Sequence, residues 1–505
     1  MIDPALTPGP GSPTSPIDLA GGAAEATGRL AAAQVDLDPA FLDSLRAVCD
    51  DVGTEAGERA GASRDWWPLA MVWATEGRVG AIAGAIARPA DVDEVAAILA
   101  LCNESGVPVT PTAGRSSVVG GAVPVHGGVV LDMCKLSGIV STDPVSMTVE
   151  VMAGTFGDAF EAELQGEHDL TVGHWPQSMA LSTVGGWLAC RGAGQYSNRY
   201  GKIEDIVLGL EVVLADGRVI HTGGQPRQAV GPDLTQLFVG CEGTLGVITK
   251  AQLRAHPRPT HVRQGAYGFA TFADGLDAMR RITQRGASPA VLRLYDETES
   301  QRTFQSADGI NVLLVLDEGD YTMVEAGMEV VAVECETALR LGDELVEQWL
   351  GHRNDVAALE ALISKGFVVD TMEVATPWAV MPSIYASTVA AMTAVPGTLA
   401  VSAHQSHSYQ SGGCLYFTFA GKVDTDDRER FYTAAWDAGT RAVLAGGGAL
   451  SHHHGIGLNR ARFMRDALGP AFDILVAVKA ALDPNGILNP GKLGLASPFG
   501  DVPWP

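Results

Sequence analysis

Two glycine clusters constrain this chain more than any other feature. Gly185 and Gly186 lie within Ser182 to Trp187, and Gly240, Gly243 and Gly246 lie within Gly240 to Thr249. A backbone without Cβ atoms can come against a flat or charged ligand that an ordinary residue would hold away. Two such surfaces about 60 residues apart, around a strand pair, suit a large cofactor. The strand pair is read from Ile203 to Val213 and Arg218 to Thr222, joined through Asp216 and Gly217, a strong turn signal. A third small-residue loop, Pro111 to Gly121, exposes successive backbone N–H groups and hydroxyls, a chemical match for a pyrophosphate or for a plain turn.

The patterns around these loops predict an α+β domain over 36–257. Val95, Ile98, Leu99 and Cys102 mark an amphipathic helix before a strand at Val107 to Thr110. Strands follow at Gly128 to Met133 and Thr148 to Ala153, then helices at Phe156 to Glu167 and Asp233 to Val239. Residues 1–35, rich in Pro, Gly, Ala and Ser, predict a flexible arm. Beyond Pro257 the glycine loops thin out and strand and helix alternate: helix Asp274 to Arg285, strand Ala290 to Tyr295, strand Asn311 to Leu316, and one long helix Tyr321 to Glu347. This predicts a separate cap or substrate domain over 258–445. Residues 446–505 return to loop and helix, the helix at Ala471 to Leu482.

Charge and cysteine usage exclude several function classes. The net charge of -25, from 59 acidic and 34 basic residues, repels nucleic acid and anionic membranes. A local arginine can still reverse the potential in one pocket for a small anion. Seven scattered cysteines, none in a Cys-x-x-Cys pair, read as reduced thiols and predict a cytoplasmic location. There is no secretory signal pattern and no uncharged apolar run of about 18 residues, so no integral membrane segment is expected. No Gly-x-Gly-x-x-Gly opens a helix after a strand, which argues against NAD.

Three places carry candidate chemistry. His452, His453 and His454 are adjacent imidazoles before Gly455, either proton carriers or loop residues satisfying carbonyls. Tyr416 lies in a strand pattern where an aromatic residue ordinarily packs in the core. Arg293 interrupts an apolar strand and needs an anionic partner if buried, whether a structural carboxylate or a substrate.

Taken together, Ser182 to Trp187, Tyr200 to Val207, Gly231 to Asp233, Glu242 to Thr249, Arg293 to Asp296, Cys414 to Phe417 and Ser451 to Gly455 carry a resemblance. Over residues 60–495 the chain resembles the FAD-binding oxidoreductases of the vanillyl-alcohol-oxidase type. Within them it is most similar to the alkyldihydroxyacetonephosphate (alkylglycerone-phosphate) synthases. The resemblance implies a two-subdomain FAD-binding domain under an α+β cap, and a homodimer. It implies a pyrophosphate on Thr112, Ala113, Gly114, Arg115, Ser116 and Ser117. The flavin ring and ribityl chain would run along Gln177, Ser178, Ser182, Thr183, Gly185 and Gly186, and the adenine end would meet Glu242, Gly243, Thr244, Gly246, Val247 and Ile248. The pyrophosphate loop lacks the histidine that the wider group often uses for covalent attachment, so the FAD is expected to be non-covalent.

The same resemblance implies roles for the candidates. Tyr416 falls at the acid/base tyrosine of the synthases, His453 and His454 are the preferred histidines, Arg293 meets the substrate anion or acyl group, and Arg460 falls at a basic substrate-binding position. The implied reaction belongs to ether-lipid synthesis: a fatty alcohol replaces the acyl group of a lipid-like substrate through a flavin N5 adduct. Two departures stand out. Ala113 and Arg115 flank Gly114 where the synthases have three glycines, leaving Arg115 to touch phosphate or face solvent, and Leu458 replaces a lysine. The alternative is an FAD-dependent dehydrogenase or oxidase of an alcohol or D-2-hydroxy acid. In that branch two histidines and a glutamate hold a metal; here His404 and His407 are present, but Cys414 falls at the second metal histidine and a histidine replaces the glutamate. A zinc site on His407, Cys414 and His453 is chemically permitted, while solvent-facing or structural histidines, and no metal, are the expectation.

Overall fold

The computed structural model describes residue 9 and residues 11–503. The first half is built on two sheets. In the smaller, strand order is Val52–Gly53, Ala85–Ala87, Val129–Asp132, Val109–Thr112, and its three longer strands run parallel. Helix Val92–Ser105 makes the crossover: Asp91 caps it by accepting the Glu94 N–H at 2.9 Å, and Gly106 ends it in the left-handed region at φ 65°. Its buried stripe is the predicted Val95, Ile98, Leu99 and Cys102. The larger sheet is antiparallel, ordered Val219–Gly223, Val207–Val213, Val247–Arg254, Thr148–Met152, Ile139–Asp143.

The second half is a seven-stranded sheet ordered Leu339–Leu341, His261–Phe269, Asn311–Gly319, Val291–Tyr295, Thr398–Ser408, Gly412–Gly421, Val368–Pro377. Side chains alternate across it. Leu292, Leu294, Leu415 and Phe417 point to one face and join the core under helices Phe272–Gln284, Tyr321–Glu334, Met381–Thr393 and Arg428–Ala445. Arg293, Tyr295 and Tyr416 belong to the other face. The chain end then returns: Val109 N–H donates to the Ile487 carbonyl at 2.8 Å, and Lys492 Nζ donates to the Val123 carbonyl at 2.7 Å.

Three expectations are corrected. Residues 1–8 and 10 of the expected flexible arm lie outside the described residues, but the rest of the arm is packed. Leu19 and Leu30 are buried, and Thr27–Gly28 pairs with Arg78–Val79. These few apolar residues suffice because they sit against an existing core. The long helix over 321–347 is two helices, Tyr321–Glu334 and Glu344–His352, because Leu339–Leu341 completes the sheet edge by pairing with 266–268. The strand expected from Ile203 begins at Val207, after a helical turn Ile203–Ile206 in which Asp205 accepts the Lys202 N–H.

Candidate active site

The structure brings the three glycine-bearing stretches together through main-chain contacts. Gly114 lies against the carbonyl of Leu181 so closely that a Cβ would overlap it, and Gly243 lies over Pro111. Asn489 ties the group by donating to the Gly121 carbonyl at 3.2 Å and the Glu242 carbonyl at 2.7 Å. Thr183 caps helix Val184–Cys190 by accepting the Gly186 N–H, and Gly185 has room only for hydrogen against Ala153. Ser182 Oγ accepts from Trp187 Nε1 at 2.7 Å.

Several side chains differ from expectation. Arg115 is paired with Asp132 at 3.4 Å, neither free nor pointing to solvent. Ser117 Oγ accepts the N–H of Val119 and Gly121, so it shapes its own loop. Gln177 turns to the Asp355 carbonyl at 2.9 Å. The Glu242 carboxylate accepts from Ile456 N–H at 2.6 Å and Gly457 N–H at 2.7 Å, so it anchors the loop after the histidines. Val247 and Ile248 are buried strand residues. Four polar atoms in or beside these stretches are buried without a protein partner: Thr112 Oγ1, both ring nitrogens of His174, and Trp175 Nε1. A buried polar atom without a partner is costly, so these atoms fit a dinucleotide that supplies one.

The chemistry sits on the other face of the seven-stranded sheet, where Glu373, His404 and Tyr295 are buried. Register pairs Glu373 with Tyr416, Tyr416 with His404, and His404 with Tyr295, so four strands place these side chains in one row. Arg293 lies two residues from Tyr295 on the same face and its Nη2 meets His404 Nε2 at 2.7 Å. His404 stacks on Tyr416 with ring centroids 4.7 Å apart, while His453 and His454 approach that ring at 6.1 and 5.5 Å. His407 enters by a bulge: pairing slips between Ser406 and Ser408, and His407 sits at φ 52°. Its Nδ1 is 2.6 Å from Ser197 Oγ.

A hydrogen-bonded chain runs through the histidines. Tyr409 Oη is 2.8 Å from His452 Nε2, and His452 Nδ1 is 2.8 Å from His453 Nδ1, so each link can carry a proton in either direction. Burial, then neighbouring cations and imidazoles, holds His407, His452 and His453 well below the usual imidazole range, so they are neutral acceptors. Burial and Arg293 bring His404 down to about 4. Burial pushes the Tyr416 phenol up, so it keeps its proton, which it donates to Thr371 Oγ1 at 3.1 Å. One ligand nitrogen from each of His407, His452 and His453 lies within 4.8 Å of the others, close enough to share a cation. Cys414 Sγ is outside that group and points to the Leu415 carbonyl.

Residues 83–223 match the family "FAD binding domain", and residues 258–493 match "FAD linked oxidases, C-terminal domain". The FAD-linked oxidoreductase YgcU of Escherichia coli O157:H7 is 31% identical over 431 residues, covering 82% of this chain and 89% of that protein. The chain belongs to the FAD-linked oxidase family. Its cofactor is FAD. Alkyldihydroxyacetonephosphate synthase of Dictyostelium discoideum is 29% identical over 458 residues, covering 82% of this chain and 74% of that one. Glycolate oxidase subunit GlcD of Bacillus subtilis is 30% identical over 427 residues, covering 81% and 88%. A solved alkyldihydroxyacetonephosphate synthase shares the fold, with TM-score 0.77 at 24% identity over 94% of this chain and 90% of that one.

In this member of the FAD-linked oxidase family Arg460, expected at a substrate-binding position, lies elsewhere. Arg460 is fully buried, its guanidinium bonded to Glu373 and the Leu450 carbonyl and lying 5.0 Å over the Trp436 ring. It cannot reach a substrate. Leu458 is buried as well, so neither position offers a cation. Sequence reasoning missed Glu373, Tyr409, Ser197 and His174. For Glu373 a signal existed: like Arg293, it is a charge inside an apolar strand.

Proposed function

We propose that this member of the FAD-linked oxidase family is an alkyldihydroxyacetonephosphate synthase-like enzyme, exchanging the acyl group of a phosphorylated ester for a fatty alcohol. The row of Tyr416 between His404 and the pair His453 and His454 carries this reading. A phenol that keeps its proton stands beside His453, a neutral imidazole that can accept one, which is what a leaving acid and an entering alcohol require. Tyr416 protonates the departing group and His453 or His454 takes the alcohol proton. Arg293, whose Nε has no protein partner, meets the substrate anion, since Arg460 and Leu458 cannot. Non-covalent FAD would be held by the main chain of Thr112 to Ser117 at its pyrophosphate, of Gln177 to Gly186 at its flavin and of Gly243 to Ile248 at its adenine end. Bound there, it supplies the electrophilic centre of the exchange.

The test is to incubate FAD-loaded protein with palmitoyl-dihydroxyacetone phosphate and labelled hexadecanol. Labelled alkyl product with released palmitate supports the reading; absence of both, with FAD bound, removes it. The second reading is an FAD-dependent dehydrogenase or oxidase of an alcohol or 2-hydroxy acid. The missing cation at Leu458 favours it, because a phosphate grip matters less for such substrates, and GlcD is by name a glycolate oxidase subunit. Flavin reduction by a 2-hydroxy acid, without alcohol exchange, would select it.

A further inference from the structure

One buried carboxylate organises the whole histidine run. Glu373 Oε1 accepts the Ser451 hydroxyl at 2.6 Å and three successive backbone N–H groups, from His452 at 3.2 Å, His453 at 3.0 Å and His454 at 2.8 Å. Arg460 Nη1 adds a fifth donor at 3.1 Å, and Arg460 Nη2 binds Oε2. Glu373 and Arg460 are both fully buried, so the guanidinium is the counter-ion that permits a carboxylate here. Oε2 also lies 3.0 Å from His454 Nδ1, at ion-pair distance though off the line of a hydrogen bond.

We infer that Glu373 is the positioning residue of the histidine run and fixes His454 in the Nδ1–H tautomer. The argument is one of donors and acceptors. An ionised carboxylate only accepts, so the ring nitrogen facing it must carry a proton. In the neutral ring the lone pair then sits on Nε2, and Tyr416 is the aromatic group at the ring's edge. Three N–H groups converging on Oε1 fix the backbone of the run against Val368–Pro377, where Glu373 pairs with Tyr416 of the next strand. Arg460 belongs to this device, which explains why a basic residue at that position is buried instead of facing substrate. The role attributed to His454 in exchange rests on the proposed function, but the tautomer does not.

The experiment is ¹⁵N NMR of the FAD-loaded protein labelled at histidine, with His454 assigned by loss of its signal in His454→Gln. In Glu373→Gln the amide oxygen can keep the N–H groups, but its NH₂ must face His454 Nδ1, which then has to accept. The expected result is an Nδ1–H His454 in the wild type and an Nε2–H His454 in Glu373→Gln, with FAD content unchanged. The maximal rate should fall by about 100-fold or more, with KM within about twofold. Glu373→Asp, which keeps the charge, should keep the Nδ1–H tautomer and recover part of the rate. An Nε2–H His454 in the wild type, a spectrum that needs no variant to fold, overturns the inference. So does an unchanged tautomer in a folded Glu373→Gln protein. An Nδ1–H result in a protein that performs no exchange leaves Glu373 in place and removes the proposed reaction.

Discussion

The glycine-built cradle and the histidine face of the cap sheet solve opposite problems. In the cradle the working surface is main chain: Gly114, Gly185 and Gly243 clear space against Leu181, Ala153 and Pro111, and side chains such as Ser117 and Glu242 are spent on shaping loops. In the cap face the main chain is only a frame, and the surface is a row of side chains whose order follows from strand register. At Gly114 and Gly185 the cradle therefore has no room for an added atom, whereas the cap face depends on polar groups that cannot be lost. Substitutions that add a methyl to one and delete a hydroxyl from the other separate the two.

The largest effect is expected at Gly114. Gly114→Ala drives a Cβ into the Leu181 carbonyl, and the purified protein should carry little or no FAD by absorbance; full FAD content would mean that the two loops can part. Next, Tyr416→Phe should retain FAD and lose about 100-fold to 10,000-fold in rate. Normal turnover would remove Tyr416 from the mechanism. Arg293→Gln should act mainly on substrate binding, raising KM about 10-fold to 100-fold, the range for a charge-assisted hydrogen bond. An effect confined to the maximal rate would place Arg293 with the acid/base groups instead.

The smallest effect concerns the support beneath the cradle. Glu161 is fully buried on helix Gly157–Glu167, and burial pushes it up to about 7, against hydrogen bonds from Gln165, Thr171 and Val172. Its folded value is raised above the unfolded carboxylate, so its stabilising contribution is complete below the unfolded value and is lost as pH rises through about 7. Glu161→Gln should melt with the wild type at pH 4 and a few degrees above it at pH 8. A constant difference at both pH values would show that Glu161 does not titrate in this window.

The cradle was legible because its demands are written in residue type. Glycines and small residues have few other reasons to cluster, and helix Ala471–Leu482 likewise follows the periodicity of its own residues. The cap face was legible only in fragments. Tyr416 and Glu373 are 43 residues apart and become neighbours through pairing of Val368–Pro377 with Gly412–Gly421, which no local pattern specifies. His407 reaches the site only because a bulge turns it, and Arg460 was read as a substrate contact because sequence cannot see that Glu373 lies beneath it. Leu339–Leu341 failed for a related reason: its three residues are a strand only because an edge was waiting for them.

The most direct test of the account is the number of turnovers per flavin under argon, with acyl ester and alcohol present and no electron acceptor. An exchange of acyl for alkyl consumes no electrons, so the account predicts alkyl product far in excess of bound FAD, with palmitate released one for one. Product that stops at one equivalent, with the flavin left reduced, would contradict it and make the protein an oxidoreductase of its substrate.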